Sequence, residues 1–393
     1  MNYIREAINR LGSSFYYYDL DGFKAHMSEI KRTLKPDFKV WYACKANPLS
    51  EILKILHEVG FGADVASLGE LHQATLQGYE GEDLIATGPA KSKNYLATLL
   101  KSEVSCIVIE SLNQLKDLND LCQKLSLKKD VLLRIQLEWE GEASILGGSS
   151  ITPFGLGLSD WRKIDLTPYQ SVNILGLHCF QWGNIVELKQ LEKIWEFTLK
   201  EARAFSNEKG IDLKVMDLGG GLGISYHNDK VLKFSDVQDV LVKLKKAYEI
   251  PEIWLELGRY SIANYGSYLT KIIDIKEVRG KNIIVTEGGI NHLARPALVK
   301  EAFPCEAFEV TSDECDSFAV HGPLCTALDF LGEFKLPKTI KVGDWLKFNK
   351  AGAYGLTESM PYFLCHQLVG EVAKFNGDLI IPRAPKGHLD WTV

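Results

Sequence analysis

The chain has 393 residues, 46% hydrophobic and 24% charged, which sets aside wholesale disorder and collagen-like repetition and suits two or three domains. Its net charge of −6 lacks the basic footprint of a nucleic-acid binder, and no apolar run reaches the ~18 residues that a membrane helix needs. Eight cysteines are scattered without a C-x-x-C pair, and MNYIREAINRLGSS at 1–14 has no apolar core, so free thiols and a cytoplasmic setting without a secretory signal are expected.

In chain order, SSFYYYDL at 13–20 reads as a first strand. Strand-length apolar runs follow at 38–45, 62–67, 83–88, 106–111, 130–137, 174–180, 215–221 and 253–259. Between them stand helical patterns such as LNQLKDLNDLCQKL and LKQLEKIWEFTLKEARAF, with Leu and Ile at three- and four-residue spacing. About eight βα units over some 220 residues is the count and length of a (β/α)8 TIM barrel, with a doubly wound open sheet as the rival arrangement. After residue 265 the strand-like stretches follow one another without helices. That change predicts an α/β chain with the barrel over 21–265 and an antiparallel β-domain over 266–393, into which the strand within 1–20 pairs.

In such a barrel, polar residues at strand ends carry the chemistry. Lys45 closes the first barrel strand in YACKAN. A strand-exit lysine commonly points into water; held in a barrel mouth, desolvation lowers its pKa and makes it a nucleophile toward an aldehyde. His178 ends the sixth, where a lone histidine is often only a satisfied core residue. Asp217 and the run Gly219-Gly220-Gly221-Leu222-Gly223 end the seventh. Glycines let backbone N–H groups approach a phosphate, although no Lys-Ser/Thr follows as in a P-loop. Glu256, Gly258 and Arg259 end the eighth in LELGRY. As a surface pair the acid and arginine would count for little; at a barrel mouth they offer a partner for a protonated ring nitrogen and an anion ligand. A lysine, a phosphate cradle, a carboxylate and a flat imidazole together meet the needs of pyridoxal phosphate. Downstream, Cys325 lies beside a Gly-Pro turn in HGPLCTALD, with Asp329 four residues on. Neither metal-ligand spacing nor a Gly-x-Ser-x-Gly elbow is present, so no metal is expected.

The motifs YACKAN, FGADVASLGEL, the sixth-strand histidine, DLGGGLGI, ELGRY, GPLCTALD and AGAYG occur in this order over nearly the whole chain. In this the sequence resembles the fold-type III pyridoxal-phosphate decarboxylases, the group of diaminopimelate, ornithine and arginine decarboxylases, which share an alanine racemase-like barrel. The resemblance implies that Lys45 carries the cofactor covalently, that His178 stacks on its ring and that Glu256 faces the pyridine nitrogen. It implies phosphate contacts from Gly219, Gly220, Gly221, Gly258, Arg259 and Tyr354, and places Asp64 among the cofactor-binding residues. It further implies that Cys325 is a proton donor supplied by a neighbouring subunit, hence a homodimer with shared active sites. Arg295, in GINHLARPAL, matches a substrate-carboxylate ligand, and Arg259, Thr326 and Asp329 complete the expected substrate set.

Departures from the family pattern bear on substrate. Thr326 stands where diaminopimelate decarboxylases carry a glutamate facing the distal amino-acid head, and Gln181 stands where a serine is usual. The Cys-Thr-x-x-Asp version looks more like the tailoring branch, which acts on amino acids joined to citrate in siderophore assembly or to a carrier protein. The expected activity is therefore α-decarboxylation of an amino acid or its conjugate, with a carrier protein as a further partner. The alternatives are diaminopimelate decarboxylation in lysine biosynthesis, an amino-acid racemase and a non-catalytic cofactor carrier. The specificity loop is expected within Glu138–Asp160.

Overall fold

The first strand, β1 (Phe15–Asp19), precedes eight longer and one very short strand in alternation with helices. These are β2 (Phe38–Ala43), β3 (Gly62–Val65), β4 (Leu84–Ala86), β5 (Cys106–Ile109), β6 (Lys129–Gln136), β7 (Leu156–Gly157), β8 (Val172–His178), β9 (Val215–Asp217) and β10 (Glu252–Leu257). The computed structural model describes residues 2–139, 150–228 and 230–392, so 140–149 of the expected specificity loop lie outside the described residues. The chain divides into two compact units, Met27–Ser225 with Lys230–Tyr260, and Met1–His26 with Tyr226–Asp229 and Ser261–Val393.

In the first of these units, all residues of runs such as β3 and β5 are buried. Strands covered on both faces lose the polar alternation of a half-exposed sheet and read as continuous apolar runs. All pair in parallel in the order β2-β3-β4-β5-β6-β8-β9-β10, and β10 returns to β2, closing an eight-stranded barrel. Trp41, Ile85, Cys106, Val108, Leu132, Val215 and Trp254 pack together as a core cluster. Each such side chain contributes on the order of 1.5–3 kcal/mol by leaving water. Ser67, Ser92 and Ser111 each accept a backbone N–H three residues on, which starts the following helix at a fixed point after its strand. Strand ends, and so the side chains at the barrel mouth, are thereby held in place. The two-residue β7, which pairs with β6, carries too little apolar pattern to be seen in the sequence.

The second unit holds β1 with β11 (Gly266–Val278), β12 (Lys281–Thr286), β13 (Cys305–Ala307), β14 (Cys315–His321), β15 (Phe330–Pro337), β16 (Trp345–Phe348), β17 (Gly370–Phe375) and β18 (Asp378–Arg383). The order is β15-β14-β12-β11-β1-β17-β18, with β16 also on β11 and β13 on β16. β1 pairs here, running antiparallel to β11. The sheet is nevertheless mixed rather than wholly antiparallel, because β1–β17 and β12–β14 are parallel. Parallel neighbours need a long crossover, and the excursion carrying Arg295–Val299 and β13 supplies one between β12 and β14. Ala7, Phe15, Leu269 and Val372 form a core here, flanked by Ile8, Trp345 and Leu379.

Candidate active site

The backbone leaves β2 into a single tight turn, Cys44–Ala46, and the Tyr42 hydroxyl donates to the Asn47 carbonyl at 2.8 Å to brace it. Lys45 projects from that turn with its side chain 39% exposed, its Nζ 3.4 Å from Asp64 Oδ2 and 3.9 Å from Glu256 Oε2. Both carboxylates are buried strand residues, on β3 and β10. Thr87, just past β4, donates its hydroxyl to the other Asp64 oxygen at 2.7 Å. Burial and the Glu256 charge raise Asp64 to about 7, against the pull of Lys45 and Thr87.

His178 ends β8 fully buried, with Nε2 3.0 Å from Glu256 Oε1. Burial pushes Glu256 up, but His178, Lys45 and Arg134 outweigh it and hold the carboxyl at about 2. Burial also lowers the His178 pKa. A neutral imidazole donating its Nε2–H to an ionised Glu256 satisfies both directions. Asp217, at the end of β9, accepts the Gly219 N–H at 2.8 Å on one oxygen, while its other oxygen and His178 Nδ1 are buried without a partner among the described residues. Burial and the nearby Glu256 push Asp217 well above the usual carboxylate range. Ligand atoms of His178, Asp217 and Glu256 lie within 4.8 Å of one another, a spacing that a metal ion could also use. The His178–Glu256 bond already engages two of the three.

Gly219 follows with φ +63°, a conformation that side chains resist, and a Cβ there would stand 2.4 Å from Phe180. The turn therefore packs flat on Phe180, while the Gly219 carbonyl accepts the Glu256 N–H at 2.7 Å. Gly220 and Gly221 continue it, and Gly258 and Arg259 follow β10.

Sequence reading missed a second buried cluster in this unit. Arg134 donates to Glu110 Oε1 at 3.0 Å, Lys91 Nζ lies 3.8 Å from the same oxygen, and the Gly155 N–H reaches Oε2 at 3.2 Å. Burial lowers Lys91 to about 8 despite Glu110. The available signal was Arg134 in the middle of the apolar run DVLLRIQL.

The sheet unit contains the remaining expected residues. Arg295 opens a short helix, Arg295–Val299, with its guanidinium 2.7 Å from Glu358 and 5.4 Å from the centre of the Tyr354 ring. Cys325 is exposed, between Leu324 and Thr326, whose hydroxyl accepts the Leu328 N–H at 3.2 Å. Asp329, expected at the substrate, is only 1% exposed and spends both carboxylate oxygens on backbone N–H groups, those of Ile290 and Leu324. Glu358 had no signal in the sequence; only the fold brings it to Arg295.

Residues 20–263 match the family described as pyridoxal-dependent decarboxylase, pyridoxal binding domain. The L-glutamyl-(BtrI acyl-carrier protein) decarboxylase of Niallia circulans is 28% identical, over 97% of this chain and 93% of that protein. The diaminopimelate decarboxylase of Aquifex aeolicus is also 28% identical, over 98% and 92%. Among solved structures, diaminopimelate decarboxylase from Helicobacter pylori complexed with L-lysine is similar with a TM-score of 0.89 at 25% identity, covering 98% of each chain. The barrel residues fit pyridoxal phosphate: a reachable lysine amine between two buried carboxylates, one of them ionised, and a buried histidine nitrogen with no protein partner among the described residues.

Proposed function

This chain belongs to the pyridoxal-dependent decarboxylase family and is a pyridoxal-phosphate-dependent carboxy-lyase, and from that premise we propose that it removes the α-carboxylate of an amino acid conjugated at its distal end. The conjugate is a carrier-protein thioester or a small acid such as citrate. The observation that carries this reading is Thr326. Its hydroxyl accepts the Leu328 N–H, and as a threonine it presents no carboxylate beside Cys325 to a free distal ammonium, which is costly to bury unpaired. Similarity to a decarboxylase named for a carrier-bound glutamyl substrate supports it.

In this reading Lys45 would hold the cofactor, with His178 against its ring, Glu256 toward its nitrogen, Asp64 beside the linkage, and Gly219, Gly220, Gly221, Gly258, Arg259 and Tyr354 at its phosphate. Bound there, pyridoxal phosphate supplies a sink for the electron pair left at the α-carbon as CO2 departs. Glu256, kept ionised and buried with His178 away from water, would hold a proton on the cofactor's ring nitrogen. Asp64, poised near neutrality 3.4 Å from Lys45, accepts the ammonium proton and frees the amine as a nucleophile. Arg295 binds a substrate carboxylate, and Cys325 delivers the proton to the α-carbon.

A second copy of the chain is the proposed source of that thiol. Supporting this, Leu328, 65% exposed, lines with Pro296, Phe330 and Leu331 an apolar groove of about 550 Å³ between the Arg295 helix and the thiol turn. Mixing Lys45→Ala with Cys325→Ala protein tests it: shared sites regain activity in the mixture, separate sites do not.

Diaminopimelate decarboxylation remains a second reading, because Glu358 sets a half-buried carboxylate beside Arg295 that a distal ammonium could use. CO2 release decides between them, measured with meso-diaminopimelate, ornithine, lysine, arginine, glutamate, citrate-conjugated diaminopropionate and a glutamyl carrier-protein thioester. Turnover confined to conjugates upholds the proposal; strong turnover of diaminopimelate overturns it.

A further inference from the structure

Asp329 is the one carboxylate among the sheet unit's expected site residues, and nothing about binding a substrate accounts for its contacts. Its Oδ1 accepts the Ile290 N–H and its Oδ2 the Leu324 N–H, each at 2.7 Å. The backbone around it leaves room only for glycine: a Cβ on Gly289 would lie 2.1 Å from Oδ1, and one on Gly322 would lie 2.4 Å from Oδ2. Its own backbone is fixed as well, donating to the Thr326 carbonyl and accepting from Gly322, each at 3.2 Å.

The two amides it holds stand at the roots of two different segments. Leu324 immediately precedes the exposed Cys325, and the following Thr326 N–H returns to the Leu324 carbonyl at 2.8 Å. Ile290 begins the turn in which His292 and Leu293 donate to the Gly289 carbonyl, and that turn leads to Arg295. Asn291 secures the same turn by accepting the Gly289 N–H at 2.8 Å. One carboxylate thus binds an amide at the base of each segment.

We propose that Asp329 is a positioning residue: a carboxylate staple joining the base of the Cys325 turn to the base of the Arg295 segment, with no contact of its own to substrate. The inference rests on the roles assigned above to Cys325 and Arg295. A charged acceptor suits the task better than an amide. It receives two N–H groups at once, whereas an asparagine would turn its NH2 toward one of them.

Amide-resolved hydrogen exchange on the cofactor-loaded protein tests the staple directly. In the unsubstituted protein the Leu324 amide should exchange slowly although Cys325, Ala327 and Leu328 around it are exposed, and the Ile290 amide should be slow with it. Fast exchange at either one overturns the staple without any variant. In Asp329→Asn, exchange at one or both amides should rise about tenfold or more, the scale of a lost charged hydrogen bond. Iodoacetamide alkylation of Cys325 should change with it, while the exposed Cys315 and Cys365 serve as internal references and do not. Faster exchange with an unaltered Cys325 rate relative to those references would show that the staple does not position the thiol. Failure of the underlying reading looks different: Cys325→Ala would give a normal amine yield, without aldehyde by-product, while the exchange pattern stayed intact.

Discussion

The barrel unit and the sheet unit hold their functional groups by opposite means. In the barrel, charges are set against one another: part-exposed Lys45 against the buried Asp64 and Glu256, and buried Glu110 against Arg134 and Lys91. In the sheet unit, Cys325 is exposed on a turn whose shape is fixed by backbone hydrogen bonds to Asp329 and Thr326. Chemistry that needs a set proton inventory sits where the dielectric is low and each charge is answered. A thiol on such a turn lies where neighbouring sequence can change without unbalancing buried charge.

From that contrast, substitutions in the buried barrel cluster strike the chemical step, whereas loss of Arg295 in the sheet unit strikes substrate binding. The largest effect is expected from Lys45→Ala, which should abolish both CO2 release and the visible absorbance of lysine-bound cofactor; retained absorbance would free Lys45 from its role. Glu256→Gln, by removing the ionised partner of the ring nitrogen, should lower kcat on the order of 10²–10³-fold with little change in KM, read by steady-state kinetics. An effect on KM alone would contradict the comparison. Arg295→Ala should raise KM by about tenfold or more while kcat holds, the scale of one charged hydrogen bond.

The smallest effect is one of pH on stability, and it separates two barrel carboxylates by sign. Asp64, raised to about 7, favours the folded state fully below its unfolded pKa near 4, and that contribution is lost as pH rises through 7. Glu256, lowered to about 2, does the reverse: its contribution is present above its unfolded pKa and lost as pH falls toward 2. Urea midpoints of cofactor-free protein at pH 5 and pH 8 should therefore show Asp64→Asn gaining on the unsubstituted chain at the higher pH. A constant difference would mean that Asp64 titrates normally.

Much of this was legible in the sequence where one element acts alone. Lys45, His178, Asp217 and Glu256 each end an apolar run, and a barrel makes strand ends meet, so the cluster at the mouth follows once the fold is read. The Lys91–Glu110–Arg134 cluster was hidden because Lys91 stands in the loop after β4, Arg134 lies inside an apolar run rather than at its end, and Glu110 reads as an ordinary turn acid. The parallel pairings in the second sheet were hidden for a similar reason: periodicity gives a strand's faces but not the direction of its neighbours. Asp329 was expected at the substrate, and spacing alone does not tell a carboxylate that faces a ligand from one that accepts two backbone amides.

The place of β1 has a consequence for how the chain is made. Tyr18 donates to Glu371, 353 positions further along, and β1 lies between β11 and β17 inside its sheet. During synthesis at about 5–20 residues per second, β1 leaves the ribosome roughly 18–70 s before its parallel neighbour exists. The barrel can close in that interval from strands already available, whereas the sheet waits for the last part of the chain. A cell that slows translation late in this message would lengthen the time during which an aromatic strand, FYYYD, stays without one of its two edges covered. Losses to aggregation should then depend on late codons rather than early ones.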